Sequence, residues 1–392
     1  MNEIYTTCKS LLYKVKQSVV PFKFYPHRAT LNYYTGCKFG CKYCYAWFSM
    51  KNYNIDSKCF PETCIIKSNA VEVLKEELNK KTWHNYPGII QFGNLQDVYQ
   101  PIENKLKFTR TILELLYQNQ KPCGILTKST LINNDIDLLS EMAKKNLVQV
   151  DMSIACLDEK LQKSIEPHAP VYSARFKILK KMSERGISTG IFIDPALPIF
   201  TLDAIDDIFK MGKECGVKYI FLGGIHMRYW KYKIFQEAVN KVYPNINISN
   251  YMDFKQQVCL NINHYYEIIK KSFSCSIKYQ LPFASTDPQY TTCNFNFGSF
   301  HFRHPLIYDY LDFLIKYRGK YVHLEDLILY LGARYEKTFY TSLDWFWNNK
   351  KLFDNIQFLN INSDDDRGVK YRLNDDYKLN EYITKIKSPF KL

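Results

Sequence analysis

The chain has 392 residues, a hydrophobic fraction of 46% and a formal charge of +14, enough apolar content for one large domain plus a smaller one. No stretch reaches the ~18 uncharged apolar residues of a membrane span, and the lysine-broken opening MNEIYTTCKSLLYKVKQSVVPFKF lacks a small-residue cleavage site, so neither a membrane partner nor export is predicted. Twelve cysteines without an export signal point to free thiols in a reducing cytoplasm, and the excess of Lys and Arg suits a polyanionic partner such as nucleic acid.

After an N-terminal extension over residues 1–28, a strand-then-helix rhythm sets in. ATLNYY (29–34) reads as a strand, AVEVLKEELNKK as an amphipathic helix and GIIQFGN (88–94) as a buried strand. Then follow the helix ENKLKFTRTILELLYQ, the strand PCGILTKS and the helix NDIDLLSEMAKK, with Asn134 as its N-cap. LVQVDMSIA is a strand, VYSARFKILKKMSERG a helix closed at Gly186, and STGIFIDPAL and VKYIFLGGI are strands flanking a helix in TLDAIDDIFKMGKECG. Six short, almost continuously apolar strands alternating with helices predict an α/β fold with a parallel sheet covered on both faces, either doubly wound or a partial barrel. Both place ligand chemistry at the carboxyl ends of the strands, where the unusual residues lie: the cysteines, Gly93-Asn94, Thr127-Lys128-Ser129, Ser153 and Asp194-Pro195.

YYTGCKFGCKYCYAWF puts Cys37, Cys41 and Cys44 at C-x3-C-x2-C spacing, with Gly36 and Gly40 directly before the first two. Three thiolates on one loop can hold three corners of a cubane iron–sulfur cluster and leave one iron open to a small molecule. The competing readings are a zinc site, which wants four ligands, and three unligated thiols. Cys59, Cys64, Cys259, Cys275 and Cys293 form no compact second motif.

GCKFGCKYCYAWF, DVYQPIE, ILTKS, DMSIACLD and IEPHAPVYSARFKIL, in that order between about Asn32 and Pro198, resemble the radical SAM superfamily, and within it the spore photoproduct lyase family and its wider relatives. The resemblance implies a partial (β/α)6 radical SAM barrel over residues 29–298. It also implies a [4Fe-4S] cluster on Cys37, Cys41 and Cys44, with S-adenosylmethionine (SAM) on the open iron. Reductive cleavage of SAM to a 5′-deoxyadenosyl radical then abstracts hydrogen from the substrate, with an electron donor such as flavodoxin or ferredoxin.

By the same resemblance Tyr43 packs near the adenine, Gly93 and Asn94 meet the methionyl amino group, Lys128 the SAM carboxylate and Ser153 the ribose. Glu166, just before Pro167 in a loop held by Pro167 and Pro170, pairs with Arg175 or with SAM; a structural Glu–Arg clasp is the competing reading of the pair. Tyr45, beside the third cysteine, matches a hydrogen-relaying tyrosine. Spore photoproduct lyases carry a hydrogen-donating cysteine just after the second strand; here FGNLQDVYQ has none, and Asp97, Tyr99 and Gln100 occupy that loop as substrate-facing candidates. Repair of a thymine dimer by that route is therefore not predicted, although charge and resemblance together favour a nucleic acid substrate.

Over residues 299–392 the pattern becomes three helices (LIYDYLDFLIKYRG, HLEDLILYLG and EKTFYTSLDWFWNNKKLF) and a hairpin of NIQFLNI and VKYRLND, the layout of a winged-helix-like domain. Its third helix is aromatic rather than basic, with Phe339, Trp345, Phe346 and Trp347, and Asp364, Asp365 and Asp366 would repel phosphate, so a protein partner or substrate presentation is favoured over DNA reading. The alternative functions are a cluster- and SAM-binding regulatory protein without turnover, and a radical SAM enzyme acting on a peptide or small molecule.

Overall fold

The computed structural model describes residues 2–14, 27–84, 89–254 and 257–285, and further on the short segments 294–297, 300–303, 316–317, 320–323, 359–365 and 368–373. The chain divides into two units, residues 1–16 with 27–283 and residues 17–26 with 284–392.

In the first unit, β1 (Asn2–Thr6), β2 (Leu12–Lys14), β3 (His27–Leu31), β4 (Tyr34–Thr35) and β5 (Thr63–Lys67) precede the helices α1 (Ala70–Asn79) and α2 (Lys81–His84). Then come β6 (Ile89–Phe92), α3 (Glu103–Leu106), α4 (Phe108–Gln118), β7 (Cys123–Thr127), α5 (Ile136–Lys144), β8 (Val148–Ser153), α6 (Glu159–Ile165) and α7 (Tyr172–Glu184). β9 (Ser188–Ile193), α8 (Phe200–Glu214), β10 (Tyr219–Leu222), β11 (His226–Met227), α9 (Tyr229–Asn240), β12 (Met252–Phe254), β13 (Val258–Leu260) and α10 (Ile262–Tyr279) complete it. With the edge strand β14 (Phe283–Ser285), the main sheet runs β14-β10-β9-β8-β7-β6-β3-β2. β3, β6, β7, β8, β9 and β10 are parallel and adjacent in chain order, and β2 closes the edge antiparallel to β3. This is the mostly parallel α/β sheet that the alternation of apolar runs and helices predicts.

Every residue of β6, β8 and β10 is buried, so both faces of the sheet are covered. The covering helices present apolar stripes at helical spacing: Ile112, Leu113 and Leu116 in α4, Leu138, Leu139 and Met142 in α5, and Ile205, Ile208 and Phe209 in α8. Each such side chain contributes about 1.5–3 kcal/mol on burial. Among the strand residues, Gln149, Asp151 and Tyr219 form a buried polar layer in which Tyr219 donates to the Asp151 carboxyl and Gln149 Nε2 lies 3.2 Å from the Tyr219 hydroxyl.

Two local expectations change. β3 ends at Leu31 and a separate two-residue strand, Tyr34–Thr35, pairs with β5, so ATLNYY is not one strand. Asn134 does not cap a helix: Ser129 Oγ accepts the Leu131 amide at 3.1 Å and starts a 3-10 turn over Thr130–Asp135, and α5 follows from Ile136. α7 does end at Glu184, just ahead of Gly186.

In the second unit, β15 (Asn294–Phe297) and β16 (Phe300–Arg303) pair antiparallel, and β17 (Tyr321–His323), β18 (Leu359–Asp365) and β19 (Gly368–Leu373) form a sheet in the order β17-β19-β18. The predicted terminal hairpin is β18–β19, with its first strand running on through Asp364 and Asp365. The helical segments assigned to a winged-helix-like domain lie almost wholly outside the described residues. Among the described residues, no helix is long and apolar enough to cross a membrane.

Candidate active site

The cysteine loop leaves β4 and is fastened from several sides. The Cys37 amide donates to the Phe60 carbonyl at 3.2 Å, and the Lys42 amide to the Ile165 carbonyl at 2.7 Å. Gln100, fully buried, grips both sides of Cys37: its Nε2 donates to the Gly36 carbonyl, and its Oε1 accepts the Lys38 amide, each at 3.1 Å. Gly36 has φ +95° and a Cβ there would stand 1.9 Å from the Thr63 carbonyl oxygen, so only glycine fits this close approach.

Cys37 and Cys41 are buried, Cys44 is half-buried, and all three are free thiols. Burial pushes each thiol up, that of Cys41 to about 12. Backbone amides of Asp97 and Phe39 aimed at Cys37, and of Ala46 aimed at Cys44, pull the other way. Thiols so placed become thiolate ligands when a cationic metal group supplies the missing charge. Among the described residues no three His, Cys, Asp or Glu side chains converge as they would around a single ion. A cubane asks for something else, one thiolate on each of three irons, and three thiols on one tightly held loop with amides directed at their sulfurs fit that demand.

Next to the loop lies a buried ionic network. Arg175, with no exposed surface, donates through Nη1 to the Ser153 carbonyl at 2.7 Å, through Nε to the Pro170 carbonyl at 2.8 Å, and through Nη2 to Glu166. Glu166 also accepts the Tyr43 hydroxyl, so the residue between the second and third cysteines is tied to α7. Burial opposes the Glu166 charge, but Arg175 and Lys128 outweigh it and hold the carboxyl below the ordinary carboxylate range. Lys128 donates from Nζ to Ser153 Oγ at 2.9 Å, with its ammonium 5.8 Å from the Tyr43 ring centroid. The structure thus brings Tyr43, Lys128, Ser153, Glu166 and Arg175 together beside Cys41.

Gly93 and Asn94 reach the same place. Gly93 adopts φ +97° where a Cβ would meet the Leu126 carbonyl oxygen at 2.1 Å, and the Asn94 carbonyl accepts the Tyr45 hydroxyl at 2.6 Å. Tyr45 is 49% exposed, yet burial raises its hydroxyl, and Cys44 and Asp194 are its charged neighbours. Asp194 behaves alike: exposed to solvent, but raised to about 6 by desolvation despite Lys128 nearby. Groups that are at once accessible and desolvated line a recess, and Tyr45, Asp194 and Lys128 share one.

Asp97 and Tyr99 are buried and engaged with partners of their own. The Asp97 carboxylate accepts Thr127 Oγ1 at 2.7 Å and the amides of Lys128 and Tyr99 at 2.6 and 2.9 Å. Tyr99 is 2% exposed and donates to Asp135 at 2.9 Å. The loop that the sequence offers as substrate-facing is scaffold at these positions, because its polar atoms are used to hold the end of β7.

Asp194 stood out in the sequence only as a polar residue after a strand, and Gln100 as a substrate-facing candidate, whereas its amide braces the backbone on both sides of Cys37. Lys231 of α9 gave no signal at all, yet its ammonium is buried without a hydrogen-bond partner among the described residues. Two exposed aromatic pairs also flank the site: Tyr45 with Phe48, ring centroids 6.4 Å apart, and Tyr229 with Phe254, 6.3 Å apart. They are linked through Trp47 and Trp230, whose centroids are 6.0 Å apart.

A family model of the radical SAM superfamily matches residues 31–212. An uncharacterised protein of Methanocaldococcus jannaschii is 32% identical over 200 residues, covering 51% of this chain and 71% of that protein. An uncharacterised protein of Mycobacterium tuberculosis is 28% identical over 224 residues, covering 56% of this chain and 64% of that protein. Among solved structures, spore photoproduct lyase complexed with dinucleoside spore photoproduct superposes with a TM-score of 0.53 at 11% identity, over 72% of this chain and 81% of that one, a likeness of fold.

Proposed function

The chain belongs to the radical SAM superfamily, and on that premise we propose that Cys37, Cys41 and Cys44 hold a [4Fe-4S] cluster and that the recess beside them binds SAM. When bound, the cluster supplies the electron that splits the SAM sulfonium, giving a 5′-deoxyadenosyl radical that takes hydrogen from a substrate. The protein's own residues bind and orient. Lys128 presents a compact ammonium to the SAM carboxylate, Gly93 and Asn94 bring backbone to its amino group, and Ser153 offers a hydroxyl to the ribose. Arg175 holds the Ser153 carbonyl and Glu166 the Tyr43 hydroxyl. Tyr45, accessible in the recess, is positioned for hydrogen relay.

The observation that carries this reading is the buried Tyr43–Glu166–Arg175–Ser153–Lys128 network, which spans the cysteine loop and the ends of β7 and β8. For substrate we propose a nucleic acid, met by the exposed aromatic pairs, whose rings suit base stacking, and by the net charge of +14. The solved lyase of like fold is complexed with a dinucleoside spore photoproduct, a ligand of the same class. A low-potential flavodoxin- or ferredoxin-like donor, a reducing cytoplasm and a protein partner for the second unit complete the proposal.

The test is anaerobic reconstitution followed by SAM and dithionite. About four irons per chain and 5′-deoxyadenosine are expected, with both lost when Cys37, Cys41 and Cys44 become Ala. A zinc-loaded, colourless native protein would overturn the cluster. A loaded cluster with bound SAM that yields no 5′-deoxyadenosine, even with DNA or RNA added, would overturn turnover on nucleic acid.

A further inference from the structure

We propose that Lys231 is a cation of the cluster site, facing the cluster that Cys37, Cys41 and Cys44 would carry and raising the potential at which it accepts an electron. The inference rests on the cluster reading above. Lys231 is 2% exposed, and its Nζ has no hydrogen-bond acceptor among the described residues. A buried ammonium left so is costly, and other buried or partly buried cations of this unit are provided for. Arg175 has three acceptors, Lys128 has the Ser153 hydroxyl, and Lys121 has the His84 carbonyl.

What Lys231 does have is aromatic. Its Nζ lies 2.7 Å from the Trp47 ring centroid and 5.9 Å from that of Trp230. A cation over an indole face is attracted to it, but its remaining N–H groups still need an acceptor. Trp47 stands three residues after Cys44, in the 3-10 turn Tyr45–Tyr53, so this contact brings the ammonium from α9 to the cysteine loop. Burial lowers the ammonium to about 7, while the charges of Cys44 and Cys41 raise it and Lys42 opposes them.

Three thiolates leave a cubane anionic, and reduction makes it more so. A fixed cation beside its sulfurs, shielded from water by Trp47, favours the reduced form over the oxidised one. The electron comes from an external one-electron donor and no bond forms or breaks; the negative charge of the cluster favours the protonated form of Lys231. Lys231 acts through the cluster, and so is a positioning residue rather than a catalytic one.

The experiment compares wild type with Lys231→Met, Lys231→Gln and Lys231→Arg after anaerobic reconstitution. Iron content, SAM affinity and the reduced fraction by electron paramagnetic resonance at poised potentials are measured. In the two uncharged variants the reduced-to-oxidised ratio at a fixed poise should fall about tenfold, ~59 mV for one electron, while Lys231→Arg stays within a few-fold of wild type. Loss of iron from both uncharged variants but not from Lys231→Arg would also support a charge holding an anion. Uncharged variants with full clusters and the wild-type potential would overturn the proposal, as would iron loss from all three, which would make the position purely steric. A changed SAM affinity at unchanged potential would instead assign Lys231 to SAM and overturn it. A wild type that takes up no iron would sink the cluster reading along with it.

Discussion

Lys128 Nζ lies 2.9 Å from Ser153 Oγ, joining the carboxyl end of β7 to that of β8. This serine is also gripped from behind, its carbonyl accepting Arg175 Nη1 at 2.7 Å. The lysine is therefore anchored rather than solvated, with its charge directed at the recess. If it meets the SAM carboxylate there, Lys128→Ala should keep its iron and bind SAM about tenfold to a hundredfold more weakly, the loss of a charge-assisted hydrogen bond of roughly 1.5–3 kcal/mol. Lys128→Arg should rescue only in part, because a planar fork does not replace a compact ammonium. Titration of SAM into anaerobic, reconstituted variants decides this, and wild-type affinity in Lys128→Ala would exclude the residue from the site.

The Glu166–Arg175 pair is a stability element as well as a strut. Removing one partner leaves an uncompensated buried charge, so Arg175→Met should cost about 3–5 kcal/mol in urea unfolding, with part recovered in the Glu166→Gln/Arg175→Met double variant. Because Glu166 is held below its unfolded value, its contribution is complete above about pH 4.5 and is lost as the pH falls through its lower folded value. A single variant within ~0.5 kcal/mol of wild type would show that the network is not under tension in this way.

The approach at Gly36 has a sharper consequence. A methyl group at 1.9 Å from the Thr63 carbonyl oxygen displaces backbone on both sides of Cys37. Gly36→Ala should therefore fold, through the core of the parallel sheet, yet take up far less iron than wild type under identical reconstitution. Full iron uptake would mean that the loop has room which the geometry denies.

The legible and illegible parts of this molecule divide along physical lines. The strands could be read because a parallel strand covered on both faces is largely apolar, as in YIFL of β10, and the cysteine loop because glycines and thiols recur at fixed spacing. Asn134 was misleading because Ser129, five residues earlier, has an equally good capping oxygen and starts the winding first. Asp97 and Tyr99 look like any polar loop residues; which way they turn is decided by Thr127 and Asp135, each about thirty residues or more away in sequence. Lys231 shares the segment YWKYK with Lys233, and nothing local distinguishes the one buried under Trp47 from the one that lies over Tyr229. Burial is a tertiary property, so the ion and hydrogen-bond networks that shape the site had to come from the fold.

Asp151 carries a last prediction, independent of any cofactor. It sits in the middle of β8 with no exposed surface, and burial raises its carboxyl to about 7, opposed only by the hydrogen bond from Tyr219. The folded value is above the unfolded one, near 3.8, so the native state binds the extra proton. Stability should accordingly be highest below about pH 4 for this group and fall as the pH rises towards 7, a total on the order of 4 kcal/mol if no other group responds. Asp151→Asn keeps the shape and an acceptor for the Tyr219 hydroxyl but cannot ionise. Unfolding in urea at pH 5 and pH 8 should show the variant gaining on wild type at the higher pH, by a margin that shrinks at the lower one. An equal difference at both values would mean that Asp151 ionises as freely in the folded protein as in the unfolded chain.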